Sequence, residues 1–493
     1  MSNLIFGTIT ISFCSIVNFY SWRFAAKDNY KLALLLLIIA GLALRIYTAT
    51  DLFLHDWDER YHALVAKNLI QHPLLPTLYD NPVLAYDYKS WSSNHIWLHK
   101  QPLPLWMMAF SMYLFGVNEI ALRIPSIILS TIAIGLTFSI CSYYFNKKSA
   151  YIAALLFSIN GLIIELNAGR VATDHIDIFF LFFIELAIYL SILFVQKGKS
   201  IYNIFAGVSI GAAILSKWLP ALIVLPIWLL LVIDSRKFTA KAIVSQFLLI
   251  VLSCLIIFLP WQLYIWHSFP LEANWEYLLN FRHITEVLDE QGGPFYYFLD
   301  RIRINYGELI YLPLAWFLWK VIKNPGDLKR LSLAIWFVIP VLFFSLAKTK
   351  MQSYILFVSP ALFMMTAEFW IMLSVYRLTH NPRWLYNIIL VLLIVLPIRY
   401  SIERTKPFDK TDRSPQWVSD LKRLNERHIK KGVMFNYDKP IEAMFYTNLT
   451  VYSYIPERKV LLDLIEKGYT ILIKNDKNVT EEIKLTKGVV MVN

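Results

Sequence analysis

Apolar runs long enough to cross a membrane recur along the first 400 residues and leave little choice of fold class. A transmembrane helix needs about 20 predominantly apolar residues, and hydrophobic residues make up 57% of this 493-residue sequence. The chain is therefore predicted to be a polytopic α-helical membrane protein. By the length rule it has about twelve spans, near 4–22, 31–50, 124–145, 149–166, 176–196, 201–216, 218–234, 241–260, 306–322, 331–347, 353–375 and 384–400.

The first apolar run is interpreted as a membrane helix with the N-terminus outside. A signal peptide carries its positive charge ahead of the apolar region, whereas Arg23 and Lys27 follow this run. The cysteines Cys14, Cys141 and Cys254 all fall inside apolar runs, so their spacing predicts neither a disulfide nor a metal site.

Basic residues between the runs assign a side to each loop. Loops rich in Lys and Arg face the cytoplasm, and the net charge of +12 is concentrated there, which argues against nucleic-acid binding. The residues on that face are Arg23, Lys27, Lys147, Lys148, Lys197, Lys199, Arg236, Lys237, Lys241, Lys323, Lys329, Arg330, Arg377 and Arg383. Alternation then predicts that the outer face receives the first outer loop, 51–123, the second outer loop, 261–305, the short segments 167–175 and 348–352, and everything after 400.

The tail, 401–493, is predicted to be a soluble α/β domain outside the 1–400 membrane domain. It alternates amphipathic helical patterns with short β-rich runs. The predicted helices are 414–431, 440–446 and 457–467, and the predicted strands are 433–435, 451–454 and 470–473. No Gly-rich nucleotide-binding loop occurs in it.

Three carboxylates, Asp56, Asp58 and Glu59, follow the second apolar run. Asp58 and Glu59 begin a segment with apolar residues at helical spacing, which predicts a juxtamembrane helix on the outer face. An acid in the first turn lies in the positive end of the helix dipole, which favours its charged form. The cluster is either a simple helix start or part of an active site, and the length and charge of the loop favour an active site.

Several cations also fall on the outer face, where the positive-inside rule disfavours them. Each taken singly is explained by a side chain that reaches back to the lipid headgroups. Together with nearby aromatic residues they favour a binding site for an anionic phosphate headgroup. They are Lys100, Arg123, Arg170, Lys217, Lys348, Lys350 and Arg399.

A second acidic motif, 170–177, precedes the fifth apolar run. It contains Asp174, His175 and Asp177. Two acids and one histidine are too few for a closed metal site. The sequence therefore requires no metal or other cofactor, although a supporting divalent cation stays open.

Five elements follow one another in order on the predicted outer face: 58–69, 100–103 followed by 114–116, 119–125, 170–174, and 345–350 with Tyr354. In this combination they resemble the GT-C membrane glycosyltransferases, in the branch with bacterial aminoarabinose transferases and protein O-mannosyltransferases. The chain departs from that pattern at Gln101, which stands in place of a proline, at the continuation into His175 and Asp177, and by an extra helix before the first outer loop.

The resemblance implies an inverting hexosyl or pentosyl transferase of the bacterial inner membrane, with its active site and tail on the periplasmic side. The donor would be a polyprenyl-phosphate sugar, and the acceptor a glycolipid, a glycan or a protein. Departure of a lipid phosphate needs cations, and the acceptor must lose a proton to a base, for which Asp58 is the candidate. The expected substrate-binding residues are Glu59, Tyr61, Lys100, Arg170, Asp174, Lys348, Lys350 and Tyr354.

An alternative from another class is a transporter, flippase or binding protein for lipid-linked saccharides. Transporters place ionisable residues and broken helices near the membrane midplane. In this sequence most charges lie at the ends of the apolar runs, which favours the enzyme.

Overall fold

Helices account for most of residues 3–476 and 479–492, which are the part of the chain described by the computed structural model. Short 3-10 segments, Leu219–Ile223, Glu308–Ile310 and Gln352–Val358, lead into three of the helices. The helices are α1 Asn3–Ala25, α2 Tyr30–Thr48, α3 Asp58–Leu69, α4 Pro102–Phe115, α5 Glu119–Tyr144, α6 Lys147–Ser158, α7 Gly161–Asn167, α8 Asp174–Lys197, α9 Ile201–Lys217, α10 Val224–Ser235, α11 Ala240–Ser268, α12 Pro270–Thr285, α13 Tyr297–Tyr306, α14 Tyr311–Lys323, α15 Leu328–Leu346, α16 Ser359–Tyr376, α17 Arg383–Thr405, α18 Gln416–Asn425, α19 Pro440–Tyr446, α20 Arg458–Glu466 and α21 Glu481–Lys484.

Polar residues in the short connections set where some of these helices begin. The side chain of Asn146 accepts a hydrogen bond of 2.9 Å from the amide of Ser149, and Asp327 accepts one of 2.9 Å from the amide of Arg330. Each bond satisfies an amide in the first turn that has no partner inside its own helix. Both caps lie beside basic residues of loops that the charge pattern assigns to the cytoplasm.

Within the described residues, eight helices are long and apolar enough to cross a membrane: α1, α2, α5, α8, α11, α15, α17 and the continuous Gln352–Tyr376 segment. The pair α6 and α7 is bent by 48° and would make a ninth span if it is counted as one. Each of the twelve predicted runs coincides with helix. The runs at 201–216, 218–234 and 306–322 form helices too short to meet the same criterion, so the count of twelve stays a prediction.

The chain folds as two compact units. The helical unit consists of Met1–Thr50, Lys100–Pro104 and Pro125–Thr411. The mixed unit consists of Asp51–His99, Leu105–Ile124 and Asp412–Asn493. The sequence placed the first outer loop with the spans and began a separate domain at 401, whereas in the structure most of that loop is grouped with the tail. The first outer loop and the tail are grouped together because polar and aromatic side chains of the two segments contact each other within the mixed unit.

Small residues allow close helix packing in the helical unit. Gly207 and Gly211 of α9 face α11, and a Cβ at Gly211 would lie only 2.7 Å from the Cβ of Ile257. Glycine is common where membrane helices approach closely, because nothing separates the two backbones. The contact between α9 and α11 therefore depends on these two positions.

A parallel four-stranded sheet forms the core of the tail in the mixed unit. Its strands are β1 Gly432–Phe435, β2 Thr450–Val451, β3 Thr470–Lys474 and β4 Val489–Val492, in the order β2-β1-β3-β4. Helices connect the strands, as parallel pairing requires. The predicted α/β tail is confirmed. β4 was not predicted, because it is a half-exposed edge strand without a clear alternating pattern.

Candidate active site

Asp58 is the first residue of α3 in the mixed unit and is only partly buried. The preceding residue, Trp57, has no side chain able to cap the helix and is 58% exposed. The carboxylate of Asp58 lies in the first turn of α3, at the positive end of the helix dipole. That is the place the sequence assigned to it.

Glu59, the next residue, is fully buried and is held by Arg123. The guanidinium of Arg123 donates two hydrogen bonds to the Glu59 carboxylate, of 2.7 and 2.9 Å, and the amide of His55 donates a third of 2.8 Å. Arg123 also donates to the backbone oxygens of Asp51 and Phe53. Glu59 thus joins the start of α3 to the loop 51–55 and to α5. These contacts give it a structural role, and its predicted substrate contact stays a prediction.

Tyr61 lies in an aromatic cluster within the mixed unit. Its ring contacts Trp91 with centroids 4.9 Å apart, and Trp91 stacks on His99 at 5.0 Å with 15° between the planes. The guanidinium of Arg60 lies over the Tyr61 ring at 5.0 Å. Burial raises the pKa of the Tyr61 hydroxyl, so it stays protonated at neutral pH and can donate a hydrogen bond.

The second acidic motif opens α8 in the helical unit with an unusual backbone. Thr173 has φ of 67° and Asp174 has φ of 31°, both outside the region that L-residues prefer. Asp174 is fully buried, and its carboxylate accepts a bond of 3.4 Å from the amide of Ile176. Strain of this kind costs on the order of 1–3 kcal/mol and is concentrated at functional sites.

Asp177, which is buried, forms an ion pair with the half-buried Lys217 that the sequence did not predict. Its carboxylate also accepts a bond from the Thr173 hydroxyl, which contacts Ser353. The ammonium of Lys217 lies 4.8 Å from the centre of the Tyr354 ring. Tyr354 is thereby brought to the second acidic motif. The available signal was that Asp177 begins one apolar run and Lys217 ends another on the same predicted face.

Arg170 is used to cap helices in the helical unit. Its guanidinium donates to the carbonyl oxygens of Thr48, at 3.2 Å, and Thr405, at 3.2 Å, which end α2 and α17. A cation at these ends satisfies carbonyls that lack partners within the helix. These contacts give Arg170 a structural role at two helix ends. Its predicted contact with substrate stays a prediction.

Lys348 and Lys350 lie in the short segment between α15 and the 3-10 turn Gln352–Val358, beside the second outer loop. The amide of Lys348 donates to Ile284 at 3.0 Å and that of Lys350 to Gln291 at 2.7 Å. Lys350 is buried and its ammonium donates to the carbonyl of Ala347, whereas Lys348 is exposed. Burial, and secondly the positive charge of Lys348, lowers the pKa of Lys350.

Lys100 is half-buried at the start of the short 100–104 segment of the helical unit. The next residue, Gln101, departs from the Pro of the similar families. Its side-chain oxygen accepts a bond of 2.9 Å from Gln262, which in turn accepts one of 2.6 Å from the hydroxyl of Tyr277. The substitution therefore creates a chain of side-chain hydrogen bonds beside Lys100.

The predicted site residues fall into two sets. Asp58, Glu59 and Tyr61 belong to the mixed unit, and Lys100, Arg170, Asp174, Lys348, Lys350 and Tyr354 to the helical unit. Among residues 3–476 and 479–492, no group of three or more His, Cys, Asp or Glu is arranged to hold a metal ion. His175 instead lies 3.0 Å from the hydroxyl of Ser126 through Nδ1.

Comparison with known proteins agrees with the resemblance that the motifs indicated. Residues 99–264 match the family model described as dolichyl-phosphate-mannose-protein mannosyltransferase. The undecaprenyl phosphate-α-4-amino-4-deoxy-L-arabinose arabinosyl transferase of Pseudomonas aeruginosa is 25% identical over 288 residues, covering 54% of this chain and 49% of that protein. The chain thus spans about half the length of that relative.

Two solved structures share the fold. ArnT from Cupriavidus metallidurans bound to undecaprenyl phosphate has a TM-score of 0.59 at 16% identity, with 88% of each chain covered. The oligosaccharyltransferase AglB from Archaeoglobus fulgidus, in complex with an inhibitory peptide and a dolichol-phosphate, has a TM-score of 0.55 at 14% identity, covering 85% of this chain and 64% of that one. The predicted fold class is confirmed: the chain has the GT-C fold and is similar in sequence to the aminoarabinose-transferase branch.

Proposed function

We propose that this protein is an inverting glycosyltransferase of the bacterial inner membrane, which moves a sugar from a polyprenyl-phosphate donor to a glycolipid, glycan or protein acceptor on the periplasmic face. The observation that supports it most is the unequal environment of the first acid pair. Glu59 is buried and bound by Arg123, whereas Asp58 is partly exposed at the start of α3. Glu59 thus fixes the start of the helix, and Asp58 is the member of the pair that is partly exposed.

The reaction needs one base and a set of cations. An acceptor oxygen attacks the anomeric carbon while the bond from that carbon to the phosphate oxygen breaks, and the electron pair leaves with the phosphate. Asp58 takes the acceptor's proton. Lys350, with Lys348 and Lys100, stabilises the departing anion. A single displacement inverts the anomeric centre, so no carboxylate nucleophile is required.

Transfer of label from a panel of radiolabelled polyprenyl-phosphate sugars tests this proposal. The full-length protein, reconstituted in inner-membrane lipid extract, is compared with Asp58→Asn and with Asp87→Asn, which alters an exposed carboxylate of the same loop. We expect transfer by the wild type and by Asp87→Asn, and a loss of about 100-fold or more in Asp58→Asn. Full activity of Asp58→Asn would refute its role as the base.

A transporter of lipid-linked saccharides is the second candidate, because of one buried acid. Glu185 lies in the middle of α8, is fully buried and accepts a hydrogen bond of 2.6 Å from Thr137. Ionisable residues inside membrane spans often line transport paths. Under this alternative Glu185→Gln would abolish movement of a fluorescent lipid-linked sugar across vesicles, and no donor would be turned over by the wild type.

A further inference from the structure

Two ion pairs within the mixed unit bracket Asp58. Asp56, two residues before it, pairs with Lys439 at 2.9 Å, and Arg60, two residues after it, pairs with Glu442 at 3.3 Å. Both partners belong to one short stretch of the tail, at the start of α19. The proposed base is thus flanked on each side by a contact to the same turn.

The other end of α19 is fixed to the same helix. The ammonium of Lys67, in the last turn of α3, donates to the carbonyl oxygens of Met444, Phe445 and Thr447, at 2.7, 3.0 and 2.7 Å. These carbonyls end α19 and have no partners within it. Burial lowers the pKa of Lys67 to about 8, so the amine stays largely charged at neutral pH. A cation at a helix C-terminus is favourable.

A third contact joins α19 to the residues that hold Glu59. The hydroxyl of Tyr446 donates a bond of 2.7 Å to Glu119, the first residue of α5. Arg123, one turn further along α5, is the partner of Glu59. The tail therefore contacts both α3 and the part of α5 that binds the start of α3.

We propose that α19 is a clamp that fixes the helix carrying Asp58, so that Lys439 and Glu442 are positioning residues for the transfer reaction. This inference rests on the proposed function and gives the tail a role in it. Neither residue is proposed to touch substrate. Glu442 acts through Arg60, and Lys439 acts through Asp56.

The physical reason is the precision that proton transfer demands. A general base works only within hydrogen-bond reach of the proton it removes, and a misplacement of about 1 Å can lower a rate about 100-fold. Trp57 provides no side-chain cap that would fix the first turn of α3 locally. The ion pairs to α19 supply a constraint from a distant part of the sequence.

The test compares Lys439→Gln with Lys439→Arg in the full-length protein in lipid. The Arg variant keeps the charge opposite Asp56, and the Gln variant removes it. With the donor that the wild type turns over, we expect kcat of Lys439→Gln to fall about 10-fold or more, with the KM for donor, the Kd for undecaprenyl phosphate and the unfolding midpoint unchanged. Lys439→Arg should restore most of kcat.

Glu442→Gln and a remote control complete the design. Glu442→Gln keeps the size of the buried side chain but weakens its bond to Arg60, and a similar fall in kcat is expected. The control is the exposed ion pair of Arg458 and Glu482, 2.6 Å apart in the same tail, which Glu482→Gln breaks. This substitution should leave kcat unchanged. A fall in kcat of equal size in Glu482→Gln would overturn the proposal, since the effect would then be general.

Hydrogen exchange separates failure of the clamp from failure of the proposed function. Amides of 62–65, which lie beyond the first turn of α3 and can bond within the helix, should exchange faster in Lys439→Gln than in the wild type, whether or not any donor is turned over. Unchanged exchange and unchanged kcat would refute the clamp while leaving the transferase intact. Faster exchange in a protein that transfers no sugar would retain the clamp as a structural contact and refute both the transferase and the positioning role.

Discussion

Arg123 binds Glu59 through two parallel hydrogen bonds, of 2.7 and 2.9 Å, and neither side chain is exposed to solvent. A paired geometry of this kind fixes both groups more firmly than a single contact. It makes the second acid of the first motif part of the framework that supports Asp58.

Removing one partner of this pair should destabilise the protein strongly. In Arg123→Met the carboxylate of Glu59 is left buried without its cation, and we expect a loss of about 3–5 kcal/mol in the free energy of unfolding. Thermal unfolding in detergent measures the loss. Glu286→Gln, which breaks the exposed pair with Arg282, is the control and should cost less than about 1 kcal/mol. Equal effects would contradict the prediction.

The pair of Asp177 and Lys217 should show strong energetic coupling. Lys217→Met leaves a buried carboxylate uncompensated, whereas Lys217→Met combined with Asp177→Asn removes both charges. We expect the double variant to unfold at a higher temperature than Lys217→Met alone, with a coupling energy of about 1–3 kcal/mol. Additive effects in the double-mutant cycle would show that the two side chains act independently.

Backbone strain at Thr173 can be measured with two substitutions that both remove its hydroxyl. At φ of 67° an L-residue is disfavoured by about 1–2 kcal/mol relative to glycine. Thr173→Gly should therefore be more stable than Thr173→Ala by roughly that amount, as measured by denaturant unfolding. Greater stability of the alanine variant would mean that the conformation is not strained.

The pH dependence of transfer should report the charge on Lys350. Burial, followed by the charge of Lys348, lowers the pKa of Lys350, so the ammonium loses its proton at a lower pH than an ordinary lysine with a pKa of about 10.4. The protonated form stabilises the leaving phosphate. As the pH is raised, activity should therefore begin to decline at a pH below the pKa of an ordinary lysine.

Two variants check the sign of this effect. Lys350→Arg retains its charge throughout, so its alkaline decline should move to higher pH. Lys348→Gln removes the second cause of the lowered pKa of Lys350, so the alkaline decline in its activity should also move to higher pH, by a smaller amount. An unchanged pH profile of kcat in both variants would exclude Lys350 as the group that titrates.

The helical character of the chain and the fold of its tail were predictable because the relevant signals are local. A run such as 241–260 is apolar over the length of a membrane and lies within the observed α11. The α19 segment was predicted with its observed bounds from its amphipathic pattern, and Pro440 at its first position is favourable at a helix start. β4 was not predicted because an edge strand of four residues has too little periodic pattern to be recognised.

Contacts between distant parts of the chain were not predictable in the same way. Lys217 was recognised as an unusual outer-face cation, yet its partner Asp177 lies 40 residues away in another helix. Lys67 contacts Met444 across 377 residues. Periodicity states which face of a helix is apolar, but it does not state which other helix covers that face.

The sequence by itself determined the membrane-spanning helices, the α/β tail and the acidic and basic motifs, because hydrophobicity and helix propensity are properties of continuous segments of the chain. Only the tertiary structure decided that Glu59 is bound by Arg123, that Arg170 caps two helix ends, and that α19 contacts the helix that begins at Asp58. The reason is physical: a buried charge must find a partner, and folding brings together groups that lie far apart in the chain.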